Sequence, residues 1–564
     1  MTINSVDATS LMSGFTLANG YLEPGTESGG GMQIIASDLT LENLRIIDNE
    51  VSNMGGGVYI NNASPHFKHV LISNNATGNV GGGVCLDESS NPIFENVTIT
   101  GNTAVAYDDG GISFWAASSL TLVNSIISGN TPNNIAFTYW SWIGTINIDY
   151  SDIQGGAEGI ISQEDDTLNW GVGNIDVNPR FIDAANDNYR LYASSRLINA
   201  GDPNLTDSDG SRSDIGAYPY LNDYDGEAGW SVSADTGDDI AGTGDPNGTP
   251  FATIQAGLNF ARDDQTVNVA SGTYFELGGD VFTNVLGVEE LVPVIWPDST
   301  YKKGVQLLGE DSENTIIDGD NNGKVMLISD VDATSLISGF TLKNGLGAQG
   351  GGMLILNSGL SFENLRIIDN QATNKGGGMC FIGAGSSDPH INNVLISNNS
   401  APSGAGIVSY STHPIFENVT ITENTDASDG VISFWYGGNM TLVNSIVRDN
   451  TPNNIKFSDW SGVGVLNIAY SNIQGGEEGI ISQDDDTITW GDGNIDVDPM
   501  FVDTANGNYH LLASSQCING GHPDSTDSDG TVADIGAYPY LNSYSGPTWH
   551  IAESGNDTTA TGAS

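Results

Sequence analysis

An all-β fold, a solenoid of stacked parallel coils, is what this sequence predicts, and three observations predict it. One motif recurs: SDLTLENLRIIDN (37–49), ASPHFKHVLISNN (63–75), SNPIFENVTITGN (90–102) and SSLTLVNSIISGN (118–130) close on Asn49, Asn75, Asn102 and Asn130, at steps of 26 to 28 residues. A fixed period of that size marks units that bury an apolar face only by stacking on their neighbours. Within the motif, Leu39, Leu41, Leu44 and Ile46 correspond to Pro92, Phe94, Val97 and Ile99, so two short alternating strands meet at a bend. A third strand, announced by glycine, precedes each motif: GGGMQI (29–34), GGGVYI (55–60), GGGVCL (81–86) and GGISFW (110–115). Three short parallel strands per coil make a parallel β-helix.

The bends carry Asn43, His69, Asn96 and Asn124, and each motif ends on another Asn. Asn tolerates the left-handed backbone of a sharp corner, and stacked amides bond to the coils above and below, so two Asn ladders are expected. After GTINIDYSDIQGG (144–156) the rhythm weakens through 157–222, which reads as irregular coils followed by a closing segment.

The whole arrangement is then repeated. VDATSLMSGFTLANG (6–20) returns as VDATSLISGFTLKNG (331–345) and DIGAYPYLN (214–222) returns at 534–542, the offset drifting only from 325 to 320 residues. The second copy opens with PFATIQAGLNFARDD, where Phe251, Ile254, Leu258 and Ala261 have helical spacing after a Gly-Thr-Pro start. A helix over 251–262 is expected to cover the open end of the second solenoid. The organisation expected is therefore a first unit, 1–222, lacking such a start; a linker and beginning of the second, 223–249; the second unit proper, 250–542; and 543–564, which resembles the opening of a third. The chain reads as cut from a longer array.

Composition narrows the function. Seventy acidic residues stand against 15 basic ones, a formal charge of −55, which disfavours nucleic acid and anionic membrane surfaces and suits a long, soluble rod or a cation-rich setting. Cys85, Cys380 and Cys517 are too few and scattered for a disulfide framework or zinc site, and the first two fall at outward positions of the alternation. No apolar run is long enough to span a membrane as a helix, and no signal peptide is visible.

The Gly-triplet, Asn-corner coils resemble the right-handed parallel β-helix repeats of the pectin-lyase-like superfamily, and their rhythm is similar to that of chlamydial polymorphic outer-membrane proteins. NYRLYASSRLINAGDP, DSDG and DIGAYPY resemble the choice-of-anchor Q domain of secreted bacterial β-helix proteins. The resemblance implies a right-handed β-helix in a secreted or surface-anchored bacterial protein, and does not imply an enzyme.

Three sets of residues are candidates for chemistry. Asp108 and Asp109 form the best acidic pair for a polysaccharide lyase or glycoside hydrolase, although the second copy has Ser428 and Asp429 there. Of the basic residues, Arg45 and Arg366 persist between copies, on a strand position that reads as exposed. TDSDGSRSD and TDSDGTVAD place Asp207, Asp209 and Asp214, and Asp527, Asp529 and Asp534, around a Gly turn, as Ca²⁺ ligands or as a solvated Asp-Gly turn. Trp115, Tyr139, Trp140, Trp435 and Trp460 are expected outward, able to stack on sugars or to cover corners. The leading expectation is a non-catalytic extracellular or cell-surface solenoid, stalk- or adhesin-like, that contacts a polysaccharide or cell-surface glycan, with Ca²⁺ as an optional rather than required cofactor. The alternative is a lyase or hydrolase working along the β-helix face.

Overall fold

The computed structural model describes all residues except 23–24, 26–27, 107–108, 138–142, 276–279, 284–288, 297–301, 384–387, 428–429, 459–461, 543, 545–548, 553–554 and 559–564, together with the side chains of 280–283 and 289. The chain divides into two units, Met1–Asp225 and Gly226–Ser564.

In the first unit the coils stack into three parallel sheets. The glycine-led strands form one; both strands of each motif, such as Thr40–Glu42 and Arg45–Ile47, share the long one; and two-residue strands after the closing Asn, such as Glu50–Val51 and Ala76–Thr77, form a third. The first runs through Thr2–Asn4, Met32–Ile35, Val58–Asn61, Val84–Asp87, Ile112–Phe114, Ile135–Phe137 and Ile160–Ile161. The long sheet contains His66–Ser73 and Ile93–Thr100, paired in parallel with Phe67 against Phe94, Val70 against Val97 and Ile72 against Ile99. The register is the one set by the motif, because a slip of one residue would turn every apolar side chain out of the core. The column inside is apolar throughout: Leu41, Phe67, Phe94 and Leu122 stack at one level, and Phe114 and Phe137 at another, their rings 4.2 Å apart.

The two rows of bends behave differently, which corrects the expectation of two amide ladders. Asn49, Asn75, Asn102, Asn130 and Asn134 form one: each donates its amide to the next Oδ1, at 2.9 Å in every step. The second unit repeats it through Asn370, Asn399, Asn424, Asn450 and Asn454. Here the left-handed turn belongs to the preceding residue, Asp48, Asn74, Gly101 or Gly129. The other row, Asn43, His69, Asn96 and Asn124, is itself left-handed, with φ between 49° and 53°. Its amides are not stacked; those of Asn96 and Asn124 hold the closing segment instead.

The glycine triplets have a steric cause. Gly55 has φ 67°, and a Cβ on Gly56 or Gly57 would collide with the carbonyl oxygen of Gly82 or Gly83 in the next coil.

The second unit opens on a strand, Trp230–Val232, followed by the expected helix, Ile254–Phe260, shorter at both ends than 251–262. The Thr253 hydroxyl accepts from the Ala256 N–H to cap it, and all seven of its residues are buried. Phe251 instead bridges Val232 and stacks on Phe260 at 4.9 Å. Lys302 donates to the carbonyls of Leu258 and Asn259, satisfying the helix C-terminus with a cation. A hairpin that the sequence did not announce, Asp280–Thr283 with Glu289–Val292, follows. Its Glu290 pairs at 2.6 Å with Lys324, whose side chain is wholly buried. Next to this pair Val292 and Ile295 join Leu327, Leu354, Cys380, Val408 and Trp435 in an apolar cluster on the outer face of the sheet. Cys380, within this cluster, and Cys85 in the first unit are both buried at 0% exposure although the alternation turns them outward.

The closing segment is the part least foreseen. Phe181–Asp183 and Asn188–Leu191 form an antiparallel hairpin, and the chain from there to Asn222 lies against the side of the coils. Asn74 donates to Asp187, Asn96 donates to the Asp214 carbonyl at 2.8 Å, Asn124 accepts from the Asp202 N–H, and the Thr98 hydroxyl accepts from the Ala217 N–H. Ile47 and Leu71 on the wall pack with Tyr189 and Ala217. Arg45, read as exposed, is consequently half-buried under this flap.

Candidate functional site

Between the coil wall and the flap of the first unit lies a groove of about 710 Å³. The wall contributes Arg45, Lys68, His69 and Glu95; the flap contributes Arg190, Asp207 and Tyr218. Arg45, Lys68 and Arg190 are three of only 15 Lys and Arg in the chain. Each is positioned by backbone already described. Arg45 takes the outward position of its strand, with Ile46 in the core. His69 sits at a left-handed bend with φ 50° and lines the groove. Arg190 follows the buried Tyr189 on the flap hairpin and points the other way by strand alternation.

Charges in the groove are unequally matched. Glu95 accepts from His66 and Lys68, both at 3.0 Å, and these partners hold its carboxyl down at about 2. Arg190 lies over the Tyr218 ring, 5.4 Å from its centroid. The buried Nε of Arg45 and the buried Nδ1 of His69 have no hydrogen-bond partner among the described residues. Burial lowers the His69 pKa, and burial raises that of Asp207 to about 6.

A related groove of about 350 Å³ occurs in the second unit, lined by Arg366, His510, Tyr509, Tyr538 and Glu313 among others. Arg366 takes the place of Arg45, Tyr538 that of Tyr218 and His510 that of Arg190. There the arginine meets Glu313 at 3.5 Å, and the His510 ring stacks on Tyr538 at 4.6 Å. Asn392 and Asn393 replace Lys68 and His69.

The family described as "Right handed beta helix region" matches residues 8–174 and 325–494, more than half of the chain. The chain belongs to this right-handed β-helix family. Among solved structures, pectin methylesterase from carrot matches at 13% identity, with a TM-score of 0.26 over 48% of this chain and 82% of that one. No curated protein matches. Both β-helix matches stop short of the flaps, so each groove joins a family wall to a segment outside the matched residues.

The residues singled out from the sequence fall elsewhere. Asp108, Tyr139, Trp140 and Trp460, with Ser428 and Asp429, lie outside the described residues. Asp109 is 1% exposed, next to the first glycine of a sheet strand, so it is not offered to a polysaccharide on the surface. Trp115 is half-buried. Trp435 does point outward but is covered: it stacks on Tyr410 at 5.9 Å, with the Lys375 ammonium 3.0 Å from its ring centre, and is 9% exposed.

The aspartates of the two Asp-Gly turns serve the flap backbone. Asp207 accepts from the Asp214 N–H, Asp209 from the N–H groups of Ser211 and Asn222, and Asp214 from those of Asn199 and Tyr220. Asp527, Asp529 and Asp534 repeat these bonds. These carboxylate oxygens thus accept backbone N–H bonds within the flap, and among the described residues no group of three or more His, Cys, Asp or Glu is placed to hold a metal.

The groove residues were missed because wall and flap are more than a hundred residues apart. Two signals pointed to them: Arg45 and Arg366 persist between copies, and so does the Tyr of DIGAYPY, Tyr218 and Tyr538.

Proposed function

We propose that this β-helix is a non-catalytic, extracellular or cell-surface protein, stalk- or adhesin-like, that binds a glycan in the grooves between coil wall and flap. One observation carries the proposal: each copy sets an arginine of the wall and a tyrosine of the flap along the same groove, Arg45 with Tyr218 and Arg366 with Tyr538. An aromatic face beside a guanidinium suits a sugar, whose apolar ring face stacks and whose hydroxyls accept hydrogen bonds. The acid–base pair a hydrolase needs is poorly supplied here. Glu95 is held ionised by its two partners, and the oxygens of Asp207 accept from Asp214 and Ser213 of the flap.

The test is binding of the full chain to a panel of immobilised neutral and acidic glycans, with release of reducing ends and unsaturated products followed in parallel. Binding reduced by Tyr218→Ala with Tyr538→Ala, and by the milder pair Arg190→Ser with His510→Ser, is the expected outcome. Retention of no glycan overturns the binding role; turnover abolished by Asp109→Asn overturns the non-catalytic one.

A further inference from the structure

The first unit's groove is a cationic spot in a chain of net charge −55. Arg45 rises from the wall, Lys68 from the next coil beside His69, whose burial favours the neutral ring, and Arg190 comes down from the flap, so positive groups face the cavity from two opposed sides. The carboxylates nearby are accounted for. Glu95 is paired with His66 and Lys68, Asp207 accepts from the Asp214 N–H and the Ser213 hydroxyl, and Glu42 acts on His69 from the wall. What is left over is the guanidinium of Arg45, with a buried and unpartnered Nε, and that of Arg190, engaged by the Tyr218 ring and not by a carboxylate in any ion pair among the described residues. The buried Nε of Arg45 is costly without an acceptor, Arg190 is exposed on its strand, and an oxyanion between the two satisfies both with charge-assisted bonds.

The remainder of the surface limits what the oxyanion can be attached to. Repulsion from the acidic chain is screened only beyond a Debye length of about 8 Å at physiological salt. A polyanion, which extends past the groove, meets that repulsion along its length; a single charged group reaching into the groove does not. Resting on the glycan-binding function above, we infer that the first unit's groove takes a glycan bearing one isolated anionic substituent, a sulfate, phosphate or carboxylate on an otherwise neutral sugar, held by Arg45 and Arg190. The second unit's groove is less suited to it: the Nε of Arg366 is likewise unpartnered, but Glu313 stands 3.5 Å from its Nη1 and a histidine replaces Arg190.

The experiment uses the full chain and ligand-observed NMR titrations with glucose, glucose 6-phosphate, glucose 6-sulfate, glucuronate, inorganic phosphate and polygalacturonate. The charged monosaccharides should bind about tenfold or more tighter than glucose, the ratio expected of one charge-assisted hydrogen bond. Arg45→Gln and Arg190→Gln should each remove that preference while Arg366→Gln leaves it in place, and amide-exchange protection of the flap shows whether each variant stays folded. Equal binding of glucose and its charged forms overturns the inference but leaves the glycan function standing. Inorganic phosphate binding as tightly as glucose 6-phosphate keeps the oxyanion site and overturns the glycan function. Tighter binding of polygalacturonate than of glucuronate, per sugar, overturns the restriction to isolated charge.

Discussion

The two units share a wall and differ in what faces it. In the first, Arg190 covers Tyr218 and Lys68 and His69 line a cavity of about 710 Å³; in the second, His510 lies on Tyr538, Glu313 meets Arg366, and about 350 Å³ remains. The asparagine ladder, by contrast, is preserved amide for amide. The difference separates two kinds of constraint. A ladder residue is bonded above and below by its counterparts, so a change in one coil leaves buried partners unsatisfied in two others. A groove residue lies outside that ladder, so the two copies differ in charge there while the stack is unchanged.

That division can be broken most severely at the ladder. Asn102 accepts from the backbone and side chain of Asn75 and donates to Ile72, Thr100 and Asn130. Asn102→Ala, and Asn424→Ala in the second unit, should each cost about 3 kcal/mol or more in denaturant unfolding, since several buried groups lose partners at about 1–3 kcal/mol each. A cost near zero in either unit would show that the amides do not hold the coils.

Truncating the wall beneath the flap comes next. Leu71 is fully buried with Tyr189 and Ala217, and Leu71→Ala should cost about 2–4 kcal/mol. Amide exchange should quicken in 181–220 before it does in the coils.

The left-handed bends sharpen the contrast between copies. Asn96 donates to the flap at the Ser213 hydroxyl and the Asp214 carbonyl, whereas Asn418 donates to Asn392 on its own wall and Ala533 replaces Ser213. Asn96→Gly keeps the backbone and removes the amide, so it should destabilise the first flap by about 1–2 kcal/mol, and Asn418→Gly should leave the second flap almost unchanged.

Acidity has a smaller effect, with a definite sign. Burial raises Asp207 and Asp534 to about 6 and raises Asp214 and Asp527 as well, against an ordinary value of 3.8. The folded flap therefore holds protons that the unfolded chain releases. Its stability is fully present below about pH 4 and declines as pH rises through about 6, by on the order of 1 kcal/mol after screening. Flap exchange should be faster at pH 7.5 than at pH 5, and Asp207→Asn should flatten that dependence in the first unit alone. Glu95 works the other way, and its ion pairs are lost only as pH falls from about 4.5 toward 2. The smallest effect belongs to Ca²⁺. With the turn aspartates committed to N–H donors, millimolar Ca²⁺ or its removal by chelator should leave Tm unchanged.

Much of the fold was legible because a stacked coil is a local code repeated many times. The period fixed the strands and their register, and the spacing of Ile254 and Leu258 fixed the helix. What the sequence did not disclose depends on contacts between distant segments. Arg45 looked exposed because nothing near it in sequence covers it, Trp435 because alternation alone cannot reveal Tyr410 and Lys375 above it. The hairpin carrying Glu290 was invisible for the same reason, and the closing segment, foreseen as such, did not show which wall residues its Arg190 would face. Sequence alternation tells which way a side chain leaves its sheet, not what waits there.

The flap binds backwards, reaching from Asp187, Asp202 and Asp214 to Asn74, Asn124 and Asn96. A nascent chain, made from its N-terminus, therefore assembles its coils with Ile47 and Leu71 still wet, and gains its last segment only when every rung it must touch already exists. In each unit the flap is a completion signal written into the order of synthesis: a coil missing or misregistered upstream leaves it nowhere to land, and the greasy flank it should have sealed marks the product as unfinished.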